Sequence, residues 1–265
     1  MGNAKIISVS NQKGGVGKTS TTNAFAAGLK LKGYKVLAID MDPQGNLSSS
    51  VDADLSDGIS TILEVMKGKV AAEAAIQHLA PFDIIPADLL LASFEQELIS
   101  STFGRDVRLR DSIANLKGLY DYIIIDTAPS LSMLTINALV AADEVLVPAT
   151  AAYFATSGLE QLADTVRNVR QYAGNPNLKI SGVLFTRHNP RTINGQAIRE
   201  ATEAYVSTIG TVVYKTFIRS AIAMEESQTN RIDIFTYAPE STVAVDYMSF
   251  VEEYLAAEGG ANNGD

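Results

Sequence analysis

The segment Lys13-Gly14-Gly15-Val16-Gly17-Lys18-Thr19 stands between a short apolar run, Lys5–Ser10, and a helical pattern, Thr19–Leu31. A glycine-rich turn between a strand and a helix is built to hold phosphate. Successive glycines let backbone N–H groups turn inward, and the helix N-terminus adds a favourable dipole. In this setting the Lys18 ammonium reaches β- and γ-phosphates and the Thr19 hydroxyl is placed to ligate Mg²⁺. Gly14, Gly15, Val16, Gly17 and Ser20 complete the nucleotide-binding run. Gln12 stands where the G-x-x-x-x-G-K-[ST] pattern has its first glycine.

Further along, β-branched runs alternate with longer helical patterns. Expected strands are Lys5–Ser10, Lys35–Asp40, Phe82–Pro86, Tyr122–Asp126, Glu144–Pro148, Lys179–Phe185 and Thr211–Phe217. Expected helices are Thr19–Leu31, Ile59–Met66, Ala87–Ser100, Val107–Leu116, Leu131–Ala141, Ser157–Tyr172, Ile193–Val206 and Val243–Ala257. Tyr122-Ile123-Ile124-Ile125 is apolar on both faces, the pattern of a parallel strand covered on both sides. Together these features predict an α/β fold with a doubly wound, mostly parallel sheet. With no internal repeat and no linker, residues 1–257 are expected to form one domain, followed by a frayed tail over 258–265.

Two strand ends carry carboxylates. Asp126 closes the Tyr122–Asp126 run, the arrangement of a Walker B aspartate that holds Mg²⁺, usually through water. Asp40 and Asp42 end the second strand, and in open α/β sheets ligands bind beyond the carboxyl ends of strands.

The string Asn11-Gln12-Lys13-Gly14-Gly15-Val16-Gly17-Lys18-Thr19 resembles the deviant Walker A motif of the ParA/Soj/MinD family of P-loop ATPases. Asp126-Thr127-Ala128-Pro129 is similar to the family's switch II, and Asp40-Met41-Asp42-Pro43-Gln44-Gly45-Asn46 to its switch I. The resemblance implies ATP and Mg²⁺ as ligands and Lys13 reaching across an ATP-bound homodimer to the partner's phosphates. It also implies Asp42 orienting the attacking water and Asp40 supporting the Mg²⁺ shell beside Thr19 and Asp126. Lys13, Lys18 and Asp42 are then the catalytic set.

Composition helps to choose a branch. With 21 basic and 30 acidic side chains the net charge is −9, so nonspecific nucleic-acid binding requires the few cations to cluster. There are no cysteines, which excludes disulfides, Cys-ligated zinc and iron–sulfur clusters and suits a reducing compartment. The Val251–Glu258 segment is acidic, unlike a membrane-binding amphipathic helix, and neither a secretory signal nor a membrane partner is expected. Small Soj-like partition ATPases remain, implying a cytoplasmic, nucleoid-associated protein, nonspecific DNA and a centromere-binding, ParB-like adaptor. Among the late cations Arg187, Arg191, Arg199, Lys215 and Arg219, the resemblance of Asn189-Pro190-Arg191-Thr192 and Ile218-Arg219-Ser220 to family motifs singles out Arg191 and Arg219 for DNA. Ile222 stands where a second family arginine is expected. The alternatives are the same switch acting on a protein cargo, and a metabolic P-loop amidoligase.

Overall fold

Consecutive residues of the central strands enter two different cores. Ile6, Ile123, Ile125, Leu37 and Ile39 pack on one face of the sheet; Ile7, Ile124 and Ala38 pack on the other. Because side chains alternate along a strand, a run that is apolar at every position must be covered on both sides.

The structure, a computed structural model, describes residues 3–150, 155–188 and 193–261. Among them lie strands β1 (Lys5–Val9), β2 (Val36–Met41), β3 (Gln77–His78), β4 (Asp83–Ile85), β5 (Tyr122–Thr127), β6 (Glu144–Thr150), β7 (Lys179–Thr186) and β8 (Val213–Phe217). They form one sheet in the order β3-β4-β2-β5-β1-β6-β7-β8. Only β3 runs antiparallel to its neighbour. The doubly wound, mostly parallel expectation is met: chain order reverses on either side of β1, and the phosphate loop leaves the carboxyl end of that strand.

The helices are α1 (Lys18–Leu31), α2 (Asn46–Ser50), α3 (Ile62–Met66), α4 (Leu91–Ser100), α5 (Arg108–Ser112), α6 (Met133–Ala141), α7 (Ala155–Tyr172), α8 (Ile193–Thr208), α9 (Ile222–Thr229), α10 (Ile234–Tyr237) and α11 (Thr242–Ala261). On one face, Phe25 and Leu29 of α1 pack with Phe250 and Tyr254 of α11. The Phe25 ring meets those of Phe250 and Tyr254 at 5.2 and 5.0 Å. Leu63, Leu98, Leu109, Leu134 and Leu159, from α3 to α7, cover the opposite face.

Several boundaries differ from the sequence expectation for local reasons. Helix α3 starts at Ile62 rather than Ile59, because Thr61 and Glu64 form a reciprocal capping box. Helix α4 begins at Leu91, after a turn in which Asp88 Oδ1 accepts the Leu90 N–H at 2.8 Å. The expected Val107–Leu116 helix breaks after Ser112 and continues as a 3₁₀ turn over Ala114–Gly118. Strand β3 and helices α2, α9 and α10 are too short or too weakly periodic to have been read from sequence.

Of the tail expected over 258–265, residues 262–265 lie outside the described residues. Helix α11 runs on to Ala261, and Glu258 pairs with Lys5 at 2.8 Å while accepting the Tyr122 hydroxyl at 2.8 Å. An acidic residue fixed by a buried tyrosine and a strand lysine stays in the helix despite the Gly-rich sequence after it. Further along the same helix, the Glu253 carboxylate accepts the Lys215 and Thr216 N–H groups at 2.7 and 2.8 Å. That contact satisfies edge-strand donors that would otherwise be free to pair with another chain.

Candidate functional site

The phosphate loop is held from both sides by contacts within the chain. Gly17 takes φ 80°, the left-handed region that side chains rarely adopt, and caps the start of α1. Thr186, at the end of β7, donates its hydroxyl to Val16 O at 2.7 Å and fixes the far side of the loop. Asn11 steadies the near side, donating to Pro148 O at 2.8 Å and accepting the Lys13 N–H at 3.0 Å. Lys18 Nζ folds across the loop to Lys13 O at 3.2 Å.

Behind the loop lies a carboxylate cluster. Strand pairing sets Asp40 directly beside Asp126. Asp126 accepts the hydroxyls of Thr19 at 2.8 Å and Thr22 at 3.0 Å, three residues apart on one face of α1. Asp40 accepts the Asp42 N–H at 3.1 Å and both the N–H and hydroxyl of Ser48, at 2.9 and 2.8 Å. It therefore shapes the 40–48 turn. Gly45 within that turn has φ 60°, and a Cβ there would lie 2.9 Å from Ala87 O. The turn presents Asp42, whose Oδ1 accepts the Gln44 N–H at 2.9 Å, to an open cavity.

Burial dominates the electrostatics of the site. Burial lowers the Lys18 pKa, although Asp126 and Asp42 oppose the shift. Burial, reinforced by the adjacent Asp40 charge, raises that of Asp126; Asp40 is raised chiefly by burial. Each charged form is stabilised again by an opposite charge brought into the cavity: phosphate for Lys18, a divalent cation for the carboxylates. Among the described residues no group of three or more His, Asp or Glu side chains makes a ready metal cage. That suits Mg²⁺, which keeps several waters and takes substrate phosphates with only one or two protein ligands. Thr19 and Asp126, with Asp40 next to them, fit such an ion.

The cavity has a volume of about 600 Å³. Gly15, Gly17, Lys18, Thr19, Ser20 and Asp42 of the expected site line it; Lys13 does not, and Asp126 stands behind Thr19. Sequence reasoning missed the opposite wall, which is formed by Asn46, Ser49 and Ser50 of α2, by Arg187, and by Glu225, Gln228 and Thr229 of α9. Gln228 donates to Ser20 Oγ at 2.8 Å and ties α9 to the phosphate loop. A small neighbouring pocket of about 40 Å³ sets Ile218, Ala221, Met224 and Val243 beside the polar Ser20, Arg187, Arg219, Glu225 and Gln228. Only the Thr19/Thr22 spacing was available as a signal in the sequence; α9 lies some two hundred residues from the loop and carries no motif.

The expected DNA cations fare differently from one another. Arg191 lies outside the described residues. Arg219 donates twice to the Asp246 carboxylate, at 2.9 and 2.6 Å, so much of its charge is already matched. Arg199 pairs with Glu203 at 2.8 Å, Arg187 faces the cavity, and Lys215 is exposed. No described helix is long and apolar enough to cross a membrane.

Comparison with known proteins agrees with this geometry. A family profile described as an AAA domain matches residues 4–180. The sporulation initiation inhibitor protein Soj of Bacillus subtilis is 38% identical over 260 residues, covering 96% of this chain and 99% of that protein. The chromosome partitioning protein ParA of Caulobacter vibrioides is 34% identical over 258 residues, covering 96% and 95%. Among solved structures, cobyrinic acid a,c-diamide synthase from Mycobacterium smegmatis with bound ADP and magnesium superposes with a TM-score of 0.77. It is 31% identical and covers 94% of this chain and 93% of that one.

Proposed function

This chain belongs to the ParA/Soj/MinD family of P-loop ATPases, and on that premise we propose that it is an ATP-driven dimerisation switch that partitions DNA. ATP and Mg²⁺ are its ligands, and it hydrolyses ATP. The observation that carries the switch reading is the placement of the two loop lysines: Lys18 lines the cavity, whereas Lys13, five residues earlier, does not. A loop lysine whose side chain does not line its own cavity supports the reading that it serves a second subunit's phosphates, as the family resemblance implies.

The residues divide the work. Backbone N–H groups of Gly14 to Thr19 and the Lys18 ammonium hold the triphosphate, and the Ser20–Gln228 contact fixes the base-side wall. Thr19, with Asp126 behind it, would hold Mg²⁺, which would supply positive charge to offset the negative charge developing in phosphoryl transfer. Asp42 accepts a hydrogen bond from the attacking water and aims it in line. In the absence of a stimulating partner, turnover is slow. An adaptor protein bound at a centromere-like site accelerates it and releases the dimer.

DNA as cargo rests on resemblance to partition proteins such as the Caulobacter ParA, with Arg191 and Arg219 as phosphate contacts. The Arg219–Asp246 pairing reduces what one subunit can offer. A chain of net charge −9 then binds only after dimerisation has doubled its contacts. Mobility shifts on unrelated duplexes test this. Binding is expected with ATP and Mg²⁺ only, with a log–log salt slope of about −4 if two arginines per subunit meet phosphate. Arg219→Ala should weaken binding to every duplex alike, since phosphate contacts carry no base information. Equal binding without nucleotide, or none at low salt, would discard DNA as the cargo. The structural likeness to the diamide synthase supports a second reading, an amidoligase. Nucleotide-dependent amidation of a carboxylic acid, with no ATP-dependent dimer, would select it.

A further inference from the structure

Three described residues other than glycine take left-handed backbone, Asp52 (φ 57°), Arg187 (φ 50°) and Arg231 (φ 57°); Arg187 and Arg231 line the nucleotide cavity, and Asp52 pairs with Arg231. Two of them occupy equivalent places. Helix α2 ends in a turn where the Ala53 N–H reaches back to Ser48 O at 3.0 Å, leaving Asp52 at the left-handed position. Helix α9 ends in the same turn, Ile232 N–H to Ser227 O at 3.0 Å, leaving Arg231 there. Glycine is the usual residue at such a position because it has no Cβ to strain. Here both places carry long or charged side chains, and these meet: Arg231 Nη1 lies 2.6 Å from Asp52 Oδ1.

The two helices pack against each other and together form the wall facing the phosphate loop. Helix α2 follows the Asp42 turn and contributes Ser49 and Ser50; α9 contributes Glu225, Gln228 and Thr229, and Arg231 itself lines the space. The ion pair therefore ties the two halves of that wall together, from one left-handed helix end to the other. An exposed pair adds little to fold stability, so stability alone does not account for holding Asp and Arg where glycine is favoured.

We propose that the Asp52–Arg231 pair is a latch in the wall of the nucleotide cavity, which holds α2, and with it the Asp42 turn, to α9 and sets how fast nucleotide leaves. The inference rests on that cavity being the nucleotide site. Both residues act through the helices they join and are positioning residues. With the side chains 69% and 61% exposed, the latch is weak and screened by salt.

Release of a fluorescent N-methylanthraniloyl ADP from the full chain with Mg²⁺, chased by excess ADP, tests it. At about 20 mM salt, Asp52→Asn and Arg231→Gln should each speed release about threefold, and the difference should vanish near about 1 M salt. Exchanging the charges, Asp52→Arg with Arg231→Asp, should restore much of the slow release. The double change Asp52→Gly and Arg231→Gly relieves the backbone and removes the latch, so it should release quickly at an unchanged or raised melting temperature. Wild-type release rates in both single variants overturn the latch. So does acceleration by Arg231→Gln alone, which would mean a direct contact with nucleotide. Failure of the wild type to bind the probe overturns the reading of the site itself.

Discussion

Asp42→Ala is expected to bind ATP normally and to lose turnover by about 10²–10⁴-fold, the range for a positioned carboxylate that handles the attacking water. Asp42 faces the cavity from a turn whose shape depends on Asp40 and Ser48 rather than on Asp42 itself. Among the described residues its side chain holds only the Gln44 N–H, so truncation should disturb the turn little. An interaction needed only in the transition state lowers kcat and leaves ground-state binding alone. Equilibrium binding of labelled ATP, measured beside phosphate release, separates the two. A fall in affinity that matches the fall in turnover would make Asp42 a binding residue instead.

Lys13→Ala acts on the other side of the switch. The variant should bind nucleotide as a monomer, because Lys18 and the loop backbone remain and Lys13 does not line its own cavity. Removing one member of a close charge pair at an interface costs about 2–5 kcal/mol. A symmetric dimer loses the contact twice. At about 1.4 kcal/mol per tenfold, dimerisation should weaken by at least about 10²–10³-fold. Size-exclusion chromatography with ATP and Mg²⁺ reads this directly, and a normal dimer peak would remove the trans role. The Lys13 N–H bond to Asn11 is a backbone contact and survives the change, so loop collapse is not the expected route to failure.

The parts of this site that sequence revealed are those confined to one segment. Gly15 and Gly17 in left-handed backbone, Thr19 at the helix start and Asp126 at a strand end each follow from a local pattern, and the sheet brings them together. Its two-sided cores were legible for the same reason, since an all-apolar run such as Ile123-Ile124-Ile125 admits few other environments. What escaped were pairings between distant segments. Nothing near Ser20 foretells Gln228, and nothing near Asp52 foretells Arg231, because short helices such as α2 and α9 have too few turns to leave a periodic trace. Arg219 shows the converse failure. A motif suggested a free cation, but Asp246, one turn into α11, had already claimed it. The contacts that hold Glu258 within α11 were hidden in the same way, since they come from the first and fifth strands.

The central claim is that ATP, and not ADP, joins two copies of this chain. Sedimentation velocity of the wild type with Mg²⁺ and either ADP or a non-hydrolysable ATP analogue tests it most directly. The account predicts a monomer with ADP and a species of twice that mass with the analogue, reverting when Lys13 is replaced by alanine. Identical sedimentation with both nucleotides, at concentrations where both are bound, would contradict it.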